Sequence, residues 1–203
     1  MPDKTIPRWE WRTFSKDLSE YRYIFDKYEP SSEFSSREIY LLGREQKVNC
    51  KIRNKLLDIK LPLQIDLELN LELWTLFSKE NFPLAVNKIA DLLQMLGQES
   101  MSFEREKYSI DEFLNEIVVK HPTLFLVDVI KNRKIYKIDG TRMEFSQAAY
   151  CGNKFHTMAI EDHDPEIVAS YLKKFNLYHL ENINYIKALQ RIFFPLWHPP
   201  VFF

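Results

Sequence analysis

The sequence predicts an α+β protein in which about eight antiparallel strands form a closed or nearly closed barrel, with helices packed outside it. Apolar and charged residues alternate with a period of two along most of the chain, which is typical of strands with one buried face. Segments with helical spacing lie between these runs and do not form a separate region. With 203 residues, 45% of them hydrophobic, the chain is long enough for one sizeable core, and we expect a single domain over residues 1–194.

The N-terminal elements are predicted to be a strand, a helix and a loop. Large aromatic side chains alternate with charged ones over residues 8–14, which predicts the first strand. Ser15 is expected to cap a helix over residues 16–28, where apolar side chains recur at helical spacing. Pro30 and four serines predict a loop over residues 29–36.

Residues 38–77 are predicted to form an antiparallel meander. Its strands are expected at residues 38–42, 47–53, 56–63 and 65–77. In the last strand one apolar face is expected at Ile65, Leu67, Leu69, Leu71 and Leu73. Each of these strands therefore has one apolar and one charged face.

Two helices are predicted next. The first covers residues 83–96 and ends at Gly97. The second covers residues 110–120 and begins at a capping box formed by Ser109 and Glu112.

The rest of the chain is predicted to hold strands and then helices, at residues 124–138, 141–150, 154–161, 165–176 and 185–194. Asp139-Gly140 predicts a tight turn between the first two of these strands. Asp164 is expected to cap a helix whose first residue is Pro165. Residues 195–203 form an apolar tail that we expect to lie in a groove or at a partner surface.

Composition narrows the function classes. Lysine and arginine together number 28 against 29 acids, so net charge predicts neither a nucleic-acid partner nor an anionic membrane surface. Four glycines, none of them clustered, exclude a phosphate-binding Walker loop and a dinucleotide-binding glycine motif. No apolar run reaches the roughly 20 residues that span a bilayer, and we expect a cytoplasmic protein. Cys50 and Cys151 are expected to be small buried or half-buried side chains, and oligomeric state is left open.

Twelve charged residues recur at two-residue spacing along the predicted strands. The cations are Arg8, Arg12, Lys51, Arg53, Lys60, Lys131 and Arg133. The acids are Glu10, Asp58, Glu72, Glu144 and Glu161. Such a set is either the solvent face of an antiparallel sheet or the lining of a barrel.

Two observations favour the lining. Trp9 and Trp11 occupy the other face of the first strand, and the apolar stripes of the helices must cover the outside of the barrel. The charged side chains would then point inward, where unpaired cations are very costly. This predicts a polyanionic ligand, with the acids holding a hard divalent cation beside its phosphate oxygens.

The same residues resemble the motifs of the CYTH superfamily. These triphosphate tunnel metalloenzymes include thiamine triphosphatase, inorganic triphosphatases and class IV adenylyl cyclases. Arg8-x-Glu10-x-Arg12 is similar to the opening motif, and Lys51-Ile52-Arg53, Asp58-Ile59-Lys60, Lys131-Asn132-Arg133 and Glu144-Phe145-Ser146 are similar to later ones. Ala159-Ile160-Glu161, Asp164-Pro165 and Asn182-Ile183-Asn184-Tyr185 resemble the closing segment, so that the resemblance covers nearly the whole chain.

The resemblance implies roles for particular residues. Those expected to bind phosphate oxygens are Arg8, Arg12, Lys51, Arg53, Lys60, Lys131 and Arg133. Those expected to hold one Mg²⁺ or Mn²⁺ are Glu10, Glu144 and Glu161. Glu10 and Glu161 are also the expected catalytic carboxylates, and Asp58 and Glu72 are either further ligands or ion-pair partners of neighbouring cations.

Three departures from the family motifs concern carboxylates. Arg8 stands where the family has a glutamate, Ser146 where it has an aspartate, and Ala159 where it has a glutamate. These changes favour a phosphate clamp over a metal site, because arginine and lysine bind phosphate directly.

The leading hypothesis is a divalent-metal-dependent phosphohydrolase acting on a triphosphate-bearing small molecule or polyphosphate. The alternatives are a non-catalytic nucleotide or polyphosphate binder with a degenerate metal site, an adenylyl cyclase-like enzyme, and a purely structural barrel.

Overall fold

The computed structural model describes residues 6–150 and 152–194. Its strands are β1 (Arg8–Ser15), β2 (Ser32–Gly43), β3 (Asn49–Arg53), β4 (Leu56–Asp66), β5 (Leu71–Asn81), β6 (Leu84–Ala85), β7 (Lys107–Tyr108), β8 (Leu124–Ile138), β9 (Thr141–Tyr150) and β10 (Asn153–Asp162). Its helices are a 3₁₀ helix (Ser19–Ile24), α1 (Val86–Met95), α2 (Ile110–Glu112) with a π-helical continuation (Phe113–Val118), α3 (Pro165–Lys174) and α4 (Tyr185–Phe193).

Eight of the strands close into an antiparallel barrel with helices outside, which confirms the predicted fold class. The order around the barrel is β1-β10-β9-β8-β2-β3-β4-β5, and β6 pairs with β7 in a small separate sheet. No helix in the described part of the chain is long and apolar enough to cross a membrane.

The described chain divides into two compact units. The first unit comprises residues 6–38, 62–76, 128–150 and 152–184. The second unit comprises residues 39–61, 77–127 and 185–194. The single domain expected for residues 1–194 stays a prediction, and the apolar tail at residues 195–203 and the expected burial of Cys151 lie outside the described residues.

The core of the first unit lies between the outer faces of its strands and the helices. Trp9 and Trp11 of β1 pack in one cluster with Tyr21 of the 3₁₀ helix and with Val168 and Leu172 of α3. The two tryptophans are therefore core residues, as expected of aromatic side chains that face helices. Because successive side chains of a strand point to opposite faces, the residues between them point into the barrel.

The core of the second unit is built in the same way. Cys50 and Ile59 from β3 and β4 pack in one cluster with Ile89 of α1 and Phe113 at the start of the π-helical turn. Burial raises the pKa of the Cys50 thiol, as expected of a small core side chain.

Local sequence signals set several boundaries where they were predicted. Ser109 and Glu112 form the capping box of α2, and Gly97 follows α1 with a φ of 68°. Asp139 and Gly140, with φ of 50° and 92°, make the turn between β8 and β9. Asp164 caps α3 through a 2.9 Å hydrogen bond that Glu166 N donates to its Oδ1 atom.

The helix predicted over residues 16–28 is wrong in type and extent. The Asp17 side chain accepts a 2.8 Å hydrogen bond from Ser19 N, and Ser15 accepts from Asp17 N at 3.3 Å. These bonds hold the backbone after β1 in turns, so that the next regular element is the 3₁₀ helix, which begins at Ser19. The helix predicted over residues 110–120 is also partly wrong, because after Glu112 it continues as a π-helical turn.

The loop predicted over residues 29–36 is wrong as well, because β2 begins at Ser32. Ser31 Oγ donates a 3.0 Å hydrogen bond to the Ile135 carbonyl, and Ser35 Oγ donates a 2.7 Å bond to Asn132 Oδ1. Both partners lie on β8, the neighbour of β2 in the barrel. Pairing with β8 therefore decides the conformation of this serine-rich segment.

The strand predicted over residues 65–77 is interrupted by a turn. β4 continues to Asp66, whose Oδ1 accepts a 2.8 Å hydrogen bond from Leu69 N, and Asn70 has a φ of 54°. Leu67 is 89% exposed, whereas Leu71 at the start of β5 is fully buried in the core of the first unit. The single apolar face expected for the segment is therefore wrong, because the period of two does not persist through the turn.

These two leucines make a matched pair for measuring the contribution of burial to stability. Leu71→Ala is expected to lower the free energy of unfolding by about 2–5 kcal/mol, because it opens a cavity in the core. Leu67→Ala is expected to change it by less than about 0.5 kcal/mol. Urea denaturation followed by circular dichroism measures both free energies. Equal effects would contradict the difference in burial between the two leucines.

Candidate functional site

The inward face of β1 carries a buried arginine. Glu10 and Arg12 lie on the face opposite Trp9 and Trp11, and the Arg12 side chain is 5% exposed. Arg12 Nε donates a 2.7 Å hydrogen bond to Glu10 Oε1, and its Nη1 donates a 3.2 Å bond to Thr157 Oγ1 of β10. Side chains of the neighbouring strands β1 and β10 thus meet at one guanidinium group.

Glu144 of β9 is the buried acid that joins this arginine to a second one. Its Oε1 lies 3.4 Å from Arg12 Nη1, and its Oε2 lies 3.1 Å from Arg133 Nη2 of β8. Ser146 Oγ donates a 2.8 Å hydrogen bond to Glu144 Oε1. Burial raises the pKa of the Glu144 carboxyl, but the positive charges of Arg12, Arg133 and Lys131 and the Ser146 hydrogen bond outweigh it and lower that pKa well below its usual range.

Glu38 of β2 is a functional candidate that the sequence analysis missed. Its side chain and that of Lys131 are fully buried, with Glu38 Oε2 2.8 Å from Lys131 Nζ. Its Oε1 lies 3.4 Å from Arg133 Nη1. The signal was weak, because Glu38 is only the first residue of the strand predicted over residues 38–42, and its partners are 93 and 95 residues away in the chain.

Glu161 of β10 is more exposed to solvent than Glu144 and contacts two further arginines. It pairs in register with Glu10 across β1 and β10. Its Oε1 lies 3.7 Å from Arg12 Nη2, and its Oε2 lies 3.4 Å from Arg142 Nε and 4.0 Å from Arg8 Nη1. The Arg8 and Arg142 side chains are only partly buried. Arg142 was not among the predicted site residues.

The first unit therefore brings together seven of the predicted site residues, namely Arg8, Glu10, Arg12, Lys131, Arg133, Glu144 and Glu161. With Glu38 and Arg142 they form one ion-pair network, which we call the arginine–glutamate network. It has five cations and four carboxylates, so the carboxylates neutralise most of its positive charge. The argument that cations inside the barrel require a polyanion is therefore wrong for this unit.

The other predicted cations belong to the second unit. Lys51 is buried, with its Nζ 5.4 Å from the centre of the Tyr40 ring. Arg53 Nη2 lies 2.8 Å from Oδ2 of the buried Asp58. Lys60 of β4 stands opposite Asn49 of β3. Asp58 is therefore an ion-pair partner of a neighbouring arginine, one of the two roles left open for it.

Glu72 of β5 has neutral hydrogen-bond donors. Asn184 Nδ2 donates a 2.8 Å hydrogen bond to Glu72 Oε2, and Trp74 Nε1 donates a 3.1 Å bond to the same oxygen. These contacts fix the orientation of a buried carboxylate within the first unit.

The three carboxylates expected to hold a metal ion do not form a group suited to one. Glu10, Glu144 and Glu161 each lie beside the Arg12 guanidinium group, at 2.7, 3.4 and 3.7 Å. Among residues 6–150 and 152–194, no three acidic, histidine or cysteine side chains are arranged to bind a metal. A hard divalent cation needs oxygen ligands arranged around one point, and here the Arg12 guanidinium group lies where the three carboxylates meet. The donor set therefore does not fit the Mg²⁺ or Mn²⁺ site that the resemblance implied.

The Glu38–Lys131 pair is expected to be essential for stability. Glu38→Gln leaves a fully buried lysine without its carboxylate at 2.8 Å, which should lower the free energy of unfolding by about 3–5 kcal/mol. Asp128→Asn, which breaks the exposed pair with Arg37, should lower it by about 1 kcal/mol or less. Chemical denaturation measures both variants, and the double variant Glu38→Gln/Lys131→Met shows whether removing the lysine charge as well restores stability. Equal losses in the two single variants would contradict the assignment.

Acid should destabilise the protein through Glu144. Its pKa is lower in the folded than in the unfolded protein, so the stabilisation is complete above the ordinary value of 4.5 and is lost as the pH falls below it. We expect the melting temperature of the wild type to fall more steeply between about pH 5 and pH 3 than that of Glu144→Gln. Calorimetry across this range measures both slopes, and identical slopes would show that Glu144 does not contribute.

Comparison with solved structures identifies the fold. A proposed adenylate cyclase from Bacillus halodurans matches with a TM-score of 0.52 and 14% identity, covering 88% of this chain and 95% of the other. The proposed adenylyl cyclase HpAC1 from Hippeastrum, described as having a dominant triphosphatase activity, matches with a TM-score of 0.51 and 12% identity, covering 95% and 100%. At the level of sequence, no family model and no curated protein matches. The structural likenesses show that the chain has the fold of CYTH-type proteins, as the resemblance of its motifs predicted.

Proposed function

We propose that the protein binds the phosphate chain of a triphosphate-bearing small molecule or of inorganic polyphosphate at the arginine–glutamate network of the first unit. The observation that carries this proposal is the convergence of Arg12 and Arg133 on Glu144, with Lys131 close by. Buried guanidinium groups form strong charge-assisted hydrogen bonds with phosphate oxygens.

The partly exposed arginines give the phosphate chain its first contacts. Arg8 and Arg142 lie 4.0 and 3.4 Å from Glu161, and both side chains retain contact with solvent. Partly solvated ion pairs at such distances are worth little, so these side chains can turn toward a phosphate at small cost. Arg12 and Arg133 lie deeper and hold the terminal phosphate in exchange for part of their contact with Glu144.

Isothermal titration calorimetry with tripolyphosphate tests the proposal. Arg133→Ala should weaken binding by about tenfold or more, because it removes charge-assisted hydrogen bonds worth about 1.5–3 kcal/mol. Arg37→Ala is the matched control, since Arg37 lies on β2 but is 70% exposed and pairs with Asp128. The melting temperature of each free variant separates lost binding from lost folding.

Two results would count against binding. One is wild-type protein that gives no heat of binding with tripolyphosphate. The other is equal affinity of wild type and Arg133→Ala, which would place the phosphate elsewhere.

Hydrolysis of a triphosphate with Mg²⁺ or Mn²⁺, in which Glu10 and Glu161 are the catalytic carboxylates, is the second candidate. The fold shared with HpAC1, described as a triphosphatase, favours it. Phosphate release from tripolyphosphate, nucleoside triphosphates and thiamine triphosphate, each with and without the two ions, would support this candidate. Formation of cyclic AMP and pyrophosphate from ATP would instead support a cyclase. If no assay showed turnover, only the proposed binding of a phosphate chain would remain.

A further inference from the structure

The Arg12 guanidinium group occupies the centre of a carboxylate cage. Its Nε, Nη1 and Nη2 atoms lie 2.7, 3.4 and 3.7 Å from oxygens of Glu10, Glu144 and Glu161, respectively. The positive charge of one guanidinium group thus interacts with three carboxylates, from β1, β9 and β10. A divalent ion bound by the same oxygens would have to displace a side chain that is almost fully buried.

The neighbouring strand leaves space for this side chain. Arg12 stands opposite Ala159 in the register of β1 and β10, and Ala159 is fully buried. A methyl group at this position allows a large guanidinium group to lie inside the barrel.

The other arginines add to the positive charge around the same carboxylates. Glu144 contacts Arg133 at 3.1 Å, and Glu161 contacts Arg142 at 3.4 Å. A divalent ion placed here would be repelled by these guanidinium groups in a medium of low dielectric constant. Binding of a metal ion is therefore opposed both by the space that Arg12 fills and by the charge around it.

We propose that Arg12 takes the place of a divalent cation in this site, so that the protein binds polyphosphate without a metal ion and Glu10, Glu144 and Glu161 act as counter-ions of its arginines. This inference rests on the proposed binding of a phosphate chain at the same network.

The first test is calorimetric titration with tripolyphosphate in EDTA and again in excess Mg²⁺. The expected result is binding in EDTA that Mg²⁺ does not strengthen. Binding only in the presence of Mg²⁺ would overturn the inference and leave the proposed function intact, whereas no binding under either condition would overturn both.

The second test asks whether removing the negative charge of Glu161 strengthens or weakens binding of tripolyphosphate. If Glu161 is a counter-ion, Glu161→Gln releases Arg8 and Arg142 to phosphate and should tighten metal-free binding by about two- to fivefold. Glu33→Gln is the matched control, because it removes one exposed negative charge that pairs with Lys134. Binding by Glu161→Gln that is unchanged or weaker than that of the wild type would overturn the inference.

The third test uses Mn²⁺ alone and does not depend on any phosphate ligand. Titration of the wild type should give no Mn²⁺ binding at this site by electron paramagnetic resonance, and Arg12→Ala should acquire it. Arg142→Ala removes an arginine from two of the same carboxylates but leaves Arg12 in place, so it should not acquire Mn²⁺ binding. The inference would be overturned if the wild type bound Mn²⁺ and Glu144→Gln abolished that binding. This comparison can be made even if Arg12→Ala does not fold.

Discussion

The pairing of Glu144 with Arg12 and Arg133 is the interaction on which the interior of the first unit depends. A buried carboxylate is costly unless positive groups and hydrogen-bond donors surround it, and here β1, β8 and β9 supply them together. The pairing also constrains the register. Ser146 faces Arg133 on β8 and Thr157 on β10, so a shift of one residue along either strand would turn charged side chains outward and apolar ones inward.

The position of the helices follows from the same alternation. Because the charges of β1, β9 and β10 point inward, their apolar side chains point outward and must be covered. The 3₁₀ helix and α3 provide that cover, with Tyr21, Val168 and Leu172 packed against Trp9 and Trp11. The cluster of Glu38, Lys131 and Arg133 and the core around Trp11 thus lie on opposite faces of the same sheet.

Local chemistry made much of the fold predictable, and pairing between distant segments decided the rest. The capping box at Ser109, the Asp139-Gly140 turn and the Asp164 cap act within a few residues, so the sequence shows them directly. The extension of β2 depends on β8, about 100 residues later, and the 3₁₀ helix depends on side-chain hydrogen bonds that compete with an α-helix. At the site, alternation predicted which charges face inward. It could not show that β8 lies beside β2, and therefore could not pair Glu38 with Lys131.

The internal pairing of the charges also changes what binding of a phosphate chain involves. If the cations faced an empty cavity, a polyanion would be needed to neutralise them. Here each buried guanidinium group already has a carboxylate partner, so a phosphate oxygen would replace a carboxylate oxygen and would not neutralise a bare cation. The free energy of such an exchange is the difference between the interaction of the guanidinium group with phosphate and its interaction with the carboxylate. A triphosphate has an advantage because its linked oxygens can replace several carboxylate contacts at once, whereas a single phosphate replaces few, and this favours extended phosphate chains over inorganic phosphate.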